Sequence, residues 1–414
     1  MAGEWVSLLI GGTLLLAGFA AALLFQRYRV PDFFVLILLG IVLAHLPVEP
    51  FGPSLLASLT PILPVFIPLT LAFILFEGGL SLSAPDMRKG LGALVAHIVV
   101  AMILTMALTW FLATRVLGFS SDTGLILAAA FSGPSATIVL SFAPQLRLHP
   151  KALNVILLEG VLGNVVAAIV VLFVLSSPDV QSSSAVLAYL SQTALASAFA
   201  FLAGLGWRLV FRRLPDVRFS YIATLACVIV VYALADGLMN RGGAVAAFVF
   251  GLVLAYRKAA SAGGPETPRA ADSLKAFQGE ITFVLRTFFF VYLGLTITLD
   301  RSSLEALWGA LLLTAGFVAA RAPTSLGIAR AYRLSRREGR VLVGTVGRGM
   351  TDVVLVLFAI ESGQIPPAEE PLLLGMLPLV ILVAAGVCAA LLVWAERGPP
   401  ERASSSSATD IYRT

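Results

Sequence analysis

Arg348 is the most demanding residue in this sequence. It sits between two glycines in Gly347-Arg348-Gly349-Met350-Thr351-Asp352, in the middle of an otherwise apolar run. An arginine at the centre of a bilayer costs about 2.5–3.5 kcal/mol on insertion scales and must find a partner. Two carboxylates in apolar surroundings offer themselves: Asp352, one helical turn further on and on the same face, and Glu159 in a different run. If Glu159 and Arg348 form a structural buried pair, Asp352 is left as the spare acid. Burial and a neighbouring arginine act on such an acid in opposite directions. A carboxylate balanced in this way holds either a proton or a dehydrated monovalent cation, and the two compete for one place. Ser132, Ser135, Thr137, Thr351 and Asn164 add neutral oxygens, the ligand type that suits hard cations. Further polar groups within apolar runs are Glu77, read either as lining a funnel or as a structural hydrogen-bonding group, and His97, read as a satisfied helix contact. Arg286 is read as a second cation near the site, or else as pairing with Glu280 or snorkelling inward. Asp236 and Arg321 fall near the ends of their runs and are expected at the membrane interface.

The elements that hold these residues are apolar helices. Of the 414 residues, 59% are hydrophobic and 12% charged, whereas about a quarter of a soluble domain is charged. Apolar runs of spanning length recur from end to end, so a polytopic membrane protein is expected, with no separate soluble domain. About thirteen spans are predicted, near 5–26, 32–47, 61–83, 91–114, 123–143, 151–175, 184–207, 219–236, 242–256, 277–298, 304–328, 340–361 and 371–395. With the N-terminus outside, most of the 28 Lys and Arg fall on the cytoplasmic side and the opposite loops carry only Arg115, Arg241 and Arg301, as the positive-inside bias requires. The net charge of +5 is explained by those loops and implies no nucleic-acid partner. Cys227 and Cys388 lie far apart in apolar runs and suggest neither a metal site nor a disulfide framework. No nucleotide loop, zinc-type cluster or nucleophile–histidine pair occurs, so neither an ATP-driven cycle, a cofactor nor enzyme chemistry is expected.

The chain also repeats itself. Gly79-Leu80-Ser81-Leu82-Ser83 recurs as Gly294-Leu295-Thr296-Ile297-Thr298, an offset of 215 residues. The same offset lays Ser132-Gly133-Pro134-Ser135 on Gly347-Arg348-Gly349-Met350. Spans seven apart in order cross in opposite senses, so the repeat is inverted: about 1–175 and 219–395, joined by a linker helix near 184–207. Residues 1–398 form the transmembrane domain, and the Ser-rich 399–414 reads as a disordered cytoplasmic tail. Pro134 with Gly133, and Gly347 with Gly349, interrupt matching helices at mid-depth. Paired breaks of this kind are the best sequence pointer to a transporter's binding site.

Several stretches resemble the cation/proton antiporter superfamily, nearest to sodium/proton exchangers of the NhaP type. They are Phe76-Glu77-Gly78-Gly79-Leu80, Ser132-Gly133-Pro134-Ser135-Ala136, Leu158-Glu159-Gly160 with Asn164, Ala246-Ala247-Phe248 with Gly251-Leu252, Phe288-Phe289-Phe290 with Gly294-Leu295, and Arg348-Gly349. The resemblance implies an all-α fold of two inverted six-helix repeats with crossing broken helices. It also implies a homodimer in the cell membrane, and exchange of Na⁺, or Li⁺ or K⁺, for H⁺ by alternating access. It matches Glu159 with the family's span-6 glutamate, Arg348 with the arginine that pairs with it, and Arg286 with the basic residue of span 10. The family's usual aspartates are missing, since Asn-Asp reads Gly163-Asn164 and Thr-Asp-Pro reads Ser132-Gly133-Pro134. An asparagine ligates a cation through its carbonyl but does not exchange a proton near neutral pH. Relocation of the carrier to Asp352 is therefore the expectation. The alternative is an uncoupled pathway or a carrier of another solute on the same fold.

Overall fold

The computed structural model describes residues 4–28, 31–46, 53–82, 91–135, 138, 148, 150–176, 182–213, 220–260, 268–297 and 301–396. Their regular elements are all helices, with no strand among the described residues. The helices are α1 (Glu4–Tyr28), α2 (Asp32–Ala44), α3 (Pro53–Leu59), α4 (Leu63–Ser81), α5 (Leu91–Arg115), α6 (Ser121–Ala130), α7 (Pro150–Ser176) and α8 (Ser183–Arg213). They continue with α9 (Ser220–Leu238), α10 (Gly243–Ala260), α11 (Pro268–Leu295), α12 (Arg301–Ala331), α13 (Arg336–Gly344), α14 (Met350–Glu361) and α15 (Glu370–Glu396). Eight helices among the described residues are long and apolar enough to cross a membrane, and shorter apolar helices accompany them. Each of the thirteen predicted spans holds a described helix, although of the fifth only Ser121–Ala130 is one and most of 136–143 lies outside the described residues. The twelfth is divided between α13 and α14, and α3 with the 3-10 turn Thr60–Ile62 leads into the third. The proposed tail, 399–414, lies outside the described residues.

Exposed apolar side chains such as Leu16, Phe19, Ile103, Leu187, Leu202 and Trp308 cover the outside. In lipid that surface carries no penalty, so it is not what drives the helices together; close backbone packing at small residues does more. The glycines of the repeat supply it. A β-carbon at Gly79 of α4 would lie 2.7 Å from Leu252 N of α10, and one at Gly294 of α11 would lie 2.7 Å from Gly40 Cα of α2. Gly79 and Gly294 are equivalent under the 215-residue offset, and each packs on a helix from the other half of the chain. The repeats are thus interlocked. Helices α1–α4 and α9–α11 form one bundle, and α5–α7 with α12–α15 form another, each built from both halves.

These crossings leave no room for a side chain. Gly294→Val is expected to lower folded yield and the thermal midpoint in detergent, since overpacking costs about 1–3 kcal/mol even where neighbours can shift, and here the neighbours are backbone. Gly206→Ala, whose new methyl would meet nothing within 4 Å, should leave both unchanged.

Candidate functional site: a cleft at two crossed, broken helices

Helix α6 ends at Ala130, and Phe131–Ser135 leave the helical path at Gly133-Pro134, because proline cannot donate to the ladder. In the other half α13 ends at Gly344, and Thr345–Gly349 are non-helical, with a tight turn from Gly344 O to Val346 N, before α14 begins. The two breaks touch. Ser135 N donates to Gly347 O (2.8 Å), and the Arg348 guanidinium donates to Gly133 O. Gly133 and Arg348 are the residues that the 215-residue offset makes equivalent. The crossing needs glycine: a β-carbon at Gly349 would sit 2.8 Å from Ser135 Cβ.

Helix α7 passes behind this crossing. A β-carbon at Gly133 would be 3.0 Å from Gly163 Cα, and one at Gly163 would be 3.2 Å from Gly133 Cα. The two glycines that stand where the resemblance leads one to expect side chains are therefore in mutual backbone contact. The departures at 133 and 163 are coupled, since a side chain restored at either would press on the other helix.

The expected Glu159–Arg348 pair does not form. Glu159 is held instead by Arg321 of α12, in a bidentate pair of 2.6 Å from Nη1 to Oε1 and 2.7 Å from Nη2 to Oε2. His97 Nε2, from α5, stands 3.4 Å from Glu159 Oε2. Arg321 is 5% exposed, not interfacial as its position near a run's end suggests. Its Nε also donates to Leu342 O (2.9 Å) and Thr345 Oγ1 (2.7 Å), and so occupies the carbonyl end of α13. A broken helix leaves carbonyls without intrahelical partners, and a guanidinium is well suited to them. The reason for the swap is geometric. Arg348 lies at the crossing itself, where its guanidinium faces Gly133 O and stacks 4.0 Å over the Phe317 ring. It makes no ion pair among the described residues. The signal that could have found Arg321 is the short list of arginines within apolar spans.

Asp352 is buried at 1% exposure in the first turn of α14, where its Oδ2 accepts from Gly349 N at 2.8 Å. An acid in a helix's first turn satisfies an orphan N–H and favours the positive end of the helix. Ser132 is likewise turned back on its own segment, donating to Ala129 O (2.7 Å). Thr137 lies outside the described residues.

Between the two bundles a cleft of about 250 Å³ runs from the surface to the crossing. One bundle lines it with Asp32, Phe33, Glu77, Thr282, Arg286 and Phe290, and the other with Ser135, Asn164, Gly349, Met350 and Thr351. Asn164, Ser135, Thr351, Glu77 and Arg286 thus line one cleft, whereas Glu159, Asp352, Ser132 and Arg348 are not among the lining. Arg286 pairs with Asp32 and not with Glu280: its Nη2 is 3.0 Å from Asp32 Oδ2. Glu77 Oε2 accepts from Thr282 Oγ1 at 3.0 Å. Asp32 is a site residue that the sequence does not single out, because an acid at a helix start reads as ordinary terminus chemistry. At the far end of the same inter-bundle interface, Arg241 Nη1 donates to Ser362 Oγ (3.0 Å) and Thr296 Oγ1 to Leu374 O (3.1 Å).

The profile of the transmembrane sodium/hydrogen exchangers matches residues 12–394. A K(+)/H(+) antiporter NhaP from Alkalimonas amylolytica is 22% identical over 390 residues, covering 92% of this chain. The chain spans 64% of that relative's length. The sodium proton antiporter MjNhaP1 from Methanocaldococcus jannaschii, in its structure at pH 8, shares the fold with a TM-score of 0.71 at 18% identity, over 95% of this chain and 96% of that one. Its electron-microscopy structure gives 0.67 at 17% identity, over 96% and 100%.

Proposed function

This chain belongs to the transmembrane sodium/hydrogen exchanger family, and from that premise we propose that it exchanges a monovalent cation for protons by alternating access. Sodium is the first candidate, with lithium and potassium next. The observation that carries the reading is the cleft itself. It lies between two bundles, is lined by both, and reaches from the acids Asp32 and Glu77 to the crossing of two broken helices, where Ser135, Thr351 and Asn164 contribute oxygens. A movement of one bundle against the other would close this opening and expose the crossing to the opposite side. With the N-terminus outside and the C-terminus inside, the Asp32 and Glu77 mouth faces the cytoplasm. The protein works in this reading as a homodimer in the cell membrane.

The cation rests on neutral oxygens of Asn164, Ser135 and Thr351. The proton is assigned to Asp352, adjacent to Thr351 and buried without a salt bridge among the described residues. Glu159 is not given the proton in this reading, because its bidentate hold on Arg321 means that releasing it would strand two buried charges. In proteoliposomes containing a pH-sensitive dye, added Na⁺, Li⁺ or K⁺ should drive proton movement without a protonophore. Asp352→Asn should abolish that signal while leaving the fold intact. Undiminished flux in Asp352→Asn would remove the proton from this residue, and a wild-type response that requires a protonophore would replace exchange with uncoupled conduction.

A further inference from the structure

The lining of the cleft carries acidic charge that its crossing end does not. Asn164 is neutral, and the carboxylates of Asp352 and Glu159 lie outside the lining, so Asp32 and Glu77 are the acids that a cation in the cleft meets among the described residues. Arg286 is the one basic residue among that lining. It shares the space a cation must use and is held to Asp32 at 3.0 Å.

This pair differs in kind from Glu159–Arg321. The latter is buried on both sides, bidentate, and supported by Thr345 and Leu342. The Asp32–Arg286 side chains are 16% and 28% exposed and meet through Nη2, while Arg286 Nε is buried without a hydrogen-bond partner among the described residues. Asp32 is anchored independently, since its Oδ1 accepts from Phe33 N (3.0 Å) at the start of α2. The acid therefore stays in place when the guanidinium swings away, whereas Arg286 is incompletely satisfied where it is. A part-solvated ion pair with incomplete hydrogen bonding contributes little net stability, so an incoming cation can displace it at small cost.

We propose that Arg286 is a tethered competitor for Asp32, and that this pair sets the cation affinity of the cleft. A monovalent cation enters by taking the place of the guanidinium beside Asp32. The two residues are affinity-setting, not carriers. They stand on the bundle opposite Asn164 and bias what reaches it. The inference rests on the exchange function proposed above and refines it.

The charge arithmetic makes a signed prediction. Arg286→Gln leaves the lining one unit more negative and should lower the KM for Na⁺ about tenfold. Asp32→Asn leaves it one unit more positive and should raise KM by a similar factor, as expected for a full charge several ångströms away in a partly wet cleft. The double variant Asp32→Asn/Arg286→Gln restores the wild-type charge and should return KM close to the wild-type value. Arg286→Lys keeps the charge and should behave as wild type. A structural pair gives a different pattern, with both single variants losing yield and maximal rate and no opposed KM shifts. Equilibrium binding of radioactive sodium to the purified protein supplies a readout independent of transport. Single variants that bind with wild-type affinity would overturn the competitor role. A wild-type protein that binds sodium but moves no protons would instead overturn the exchange reading and leave the affinity test standing. If Asp32→Asn does not fold, the comparison of Arg286→Gln with Arg286→Lys alone decides the matter, and equal affinities in these two sink the proposal.

Discussion

Replacing Arg321 with methionine is expected to be the most damaging single substitution in the interior. The change leaves Glu159 buried at 2% exposure with His97 as its remaining polar neighbour, and strips Leu342 O and Thr345 Oγ1 of the donor at the end of α13. Removing one partner of a buried pair costs about 3–5 kcal/mol, because the other charge is stranded. That is a large share of the roughly 5–15 kcal/mol by which a folded protein is stable. The expected result is a severe loss of folded yield, a lowered thermal midpoint in detergent, and no cation-driven proton flux. Adding Glu159→Gln to Arg321→Met removes the stranded charge and should recover part of the stability, though not transport. Arg348→Met is expected to cost less, since it gives up a bond to Gly133 O and a stack on Phe317 but strands no ion-paired carboxylate. Melting curves that rank Arg348→Met as the more damaging change would contradict the pairing described here.

Joining Arg241 to Ser362 should stop exchange while leaving the fold untouched. These residues meet across the bundle interface at the C-terminal end of α14, whereas Gly349, Met350 and Thr351 at its N-terminal end line the cleft. Twelve residues of helix separate the two ends by about 18 Å. The interface is thus open at one end of α14 and hydrogen-bonded at the other, with Arg241 also lying 5.3 Å from the Phe358 ring centroid. Alternating access requires the bonded end to part when the cleft closes. In a background with Cys227→Ala and Cys388→Ala, the pair Arg241→Cys and Ser362→Cys can be bridged by a short thiol-reactive linker of about an arginine's reach. Bridging should abolish cation-driven proton flux, and cleavage of the linker by reductant should restore it. Each single-cysteine variant treated in the same way should keep its activity. Flux that survives complete bridging would mean that the two bundles need not separate at this end.

Arg321 and Asp32 show why part of the site was not legible in the chain. Both are ordinary at the level of sequence: one is an arginine near the end of an apolar run, the other an acid at a helix start. What makes them site residues is that α12 passes Glu159 of α7, and that α2 packs on α11 at Gly40 and Gly294 and so sets Asp32 beside Arg286. Arg348 errs in the other direction. Its demand for a partner was evident from its surroundings, but a carbonyl and an aromatic face meet that demand where a carboxylate was expected.

The sequence by itself determined the membrane-spanning character, the approximate positions of the long apolar helices, the two breaks and the 215-residue register between them. These follow from hydropathy, from proline and glycine chemistry, and from repetition, all properties of short stretches of chain that act wherever those stretches are placed. Only the tertiary structure decided that Glu159 answers to Arg321, that Asp352 bends back to Gly349, that Gly133 and Gly163 exclude side chains from each other, and that the cleft's own acids are Asp32 and Glu77. Each of those is a contact between segments far apart in sequence or a choice among competing partners within ångströms. A buried charge must be satisfied, but its requirement does not name which of several groups will be nearest once the two halves of the chain interlock.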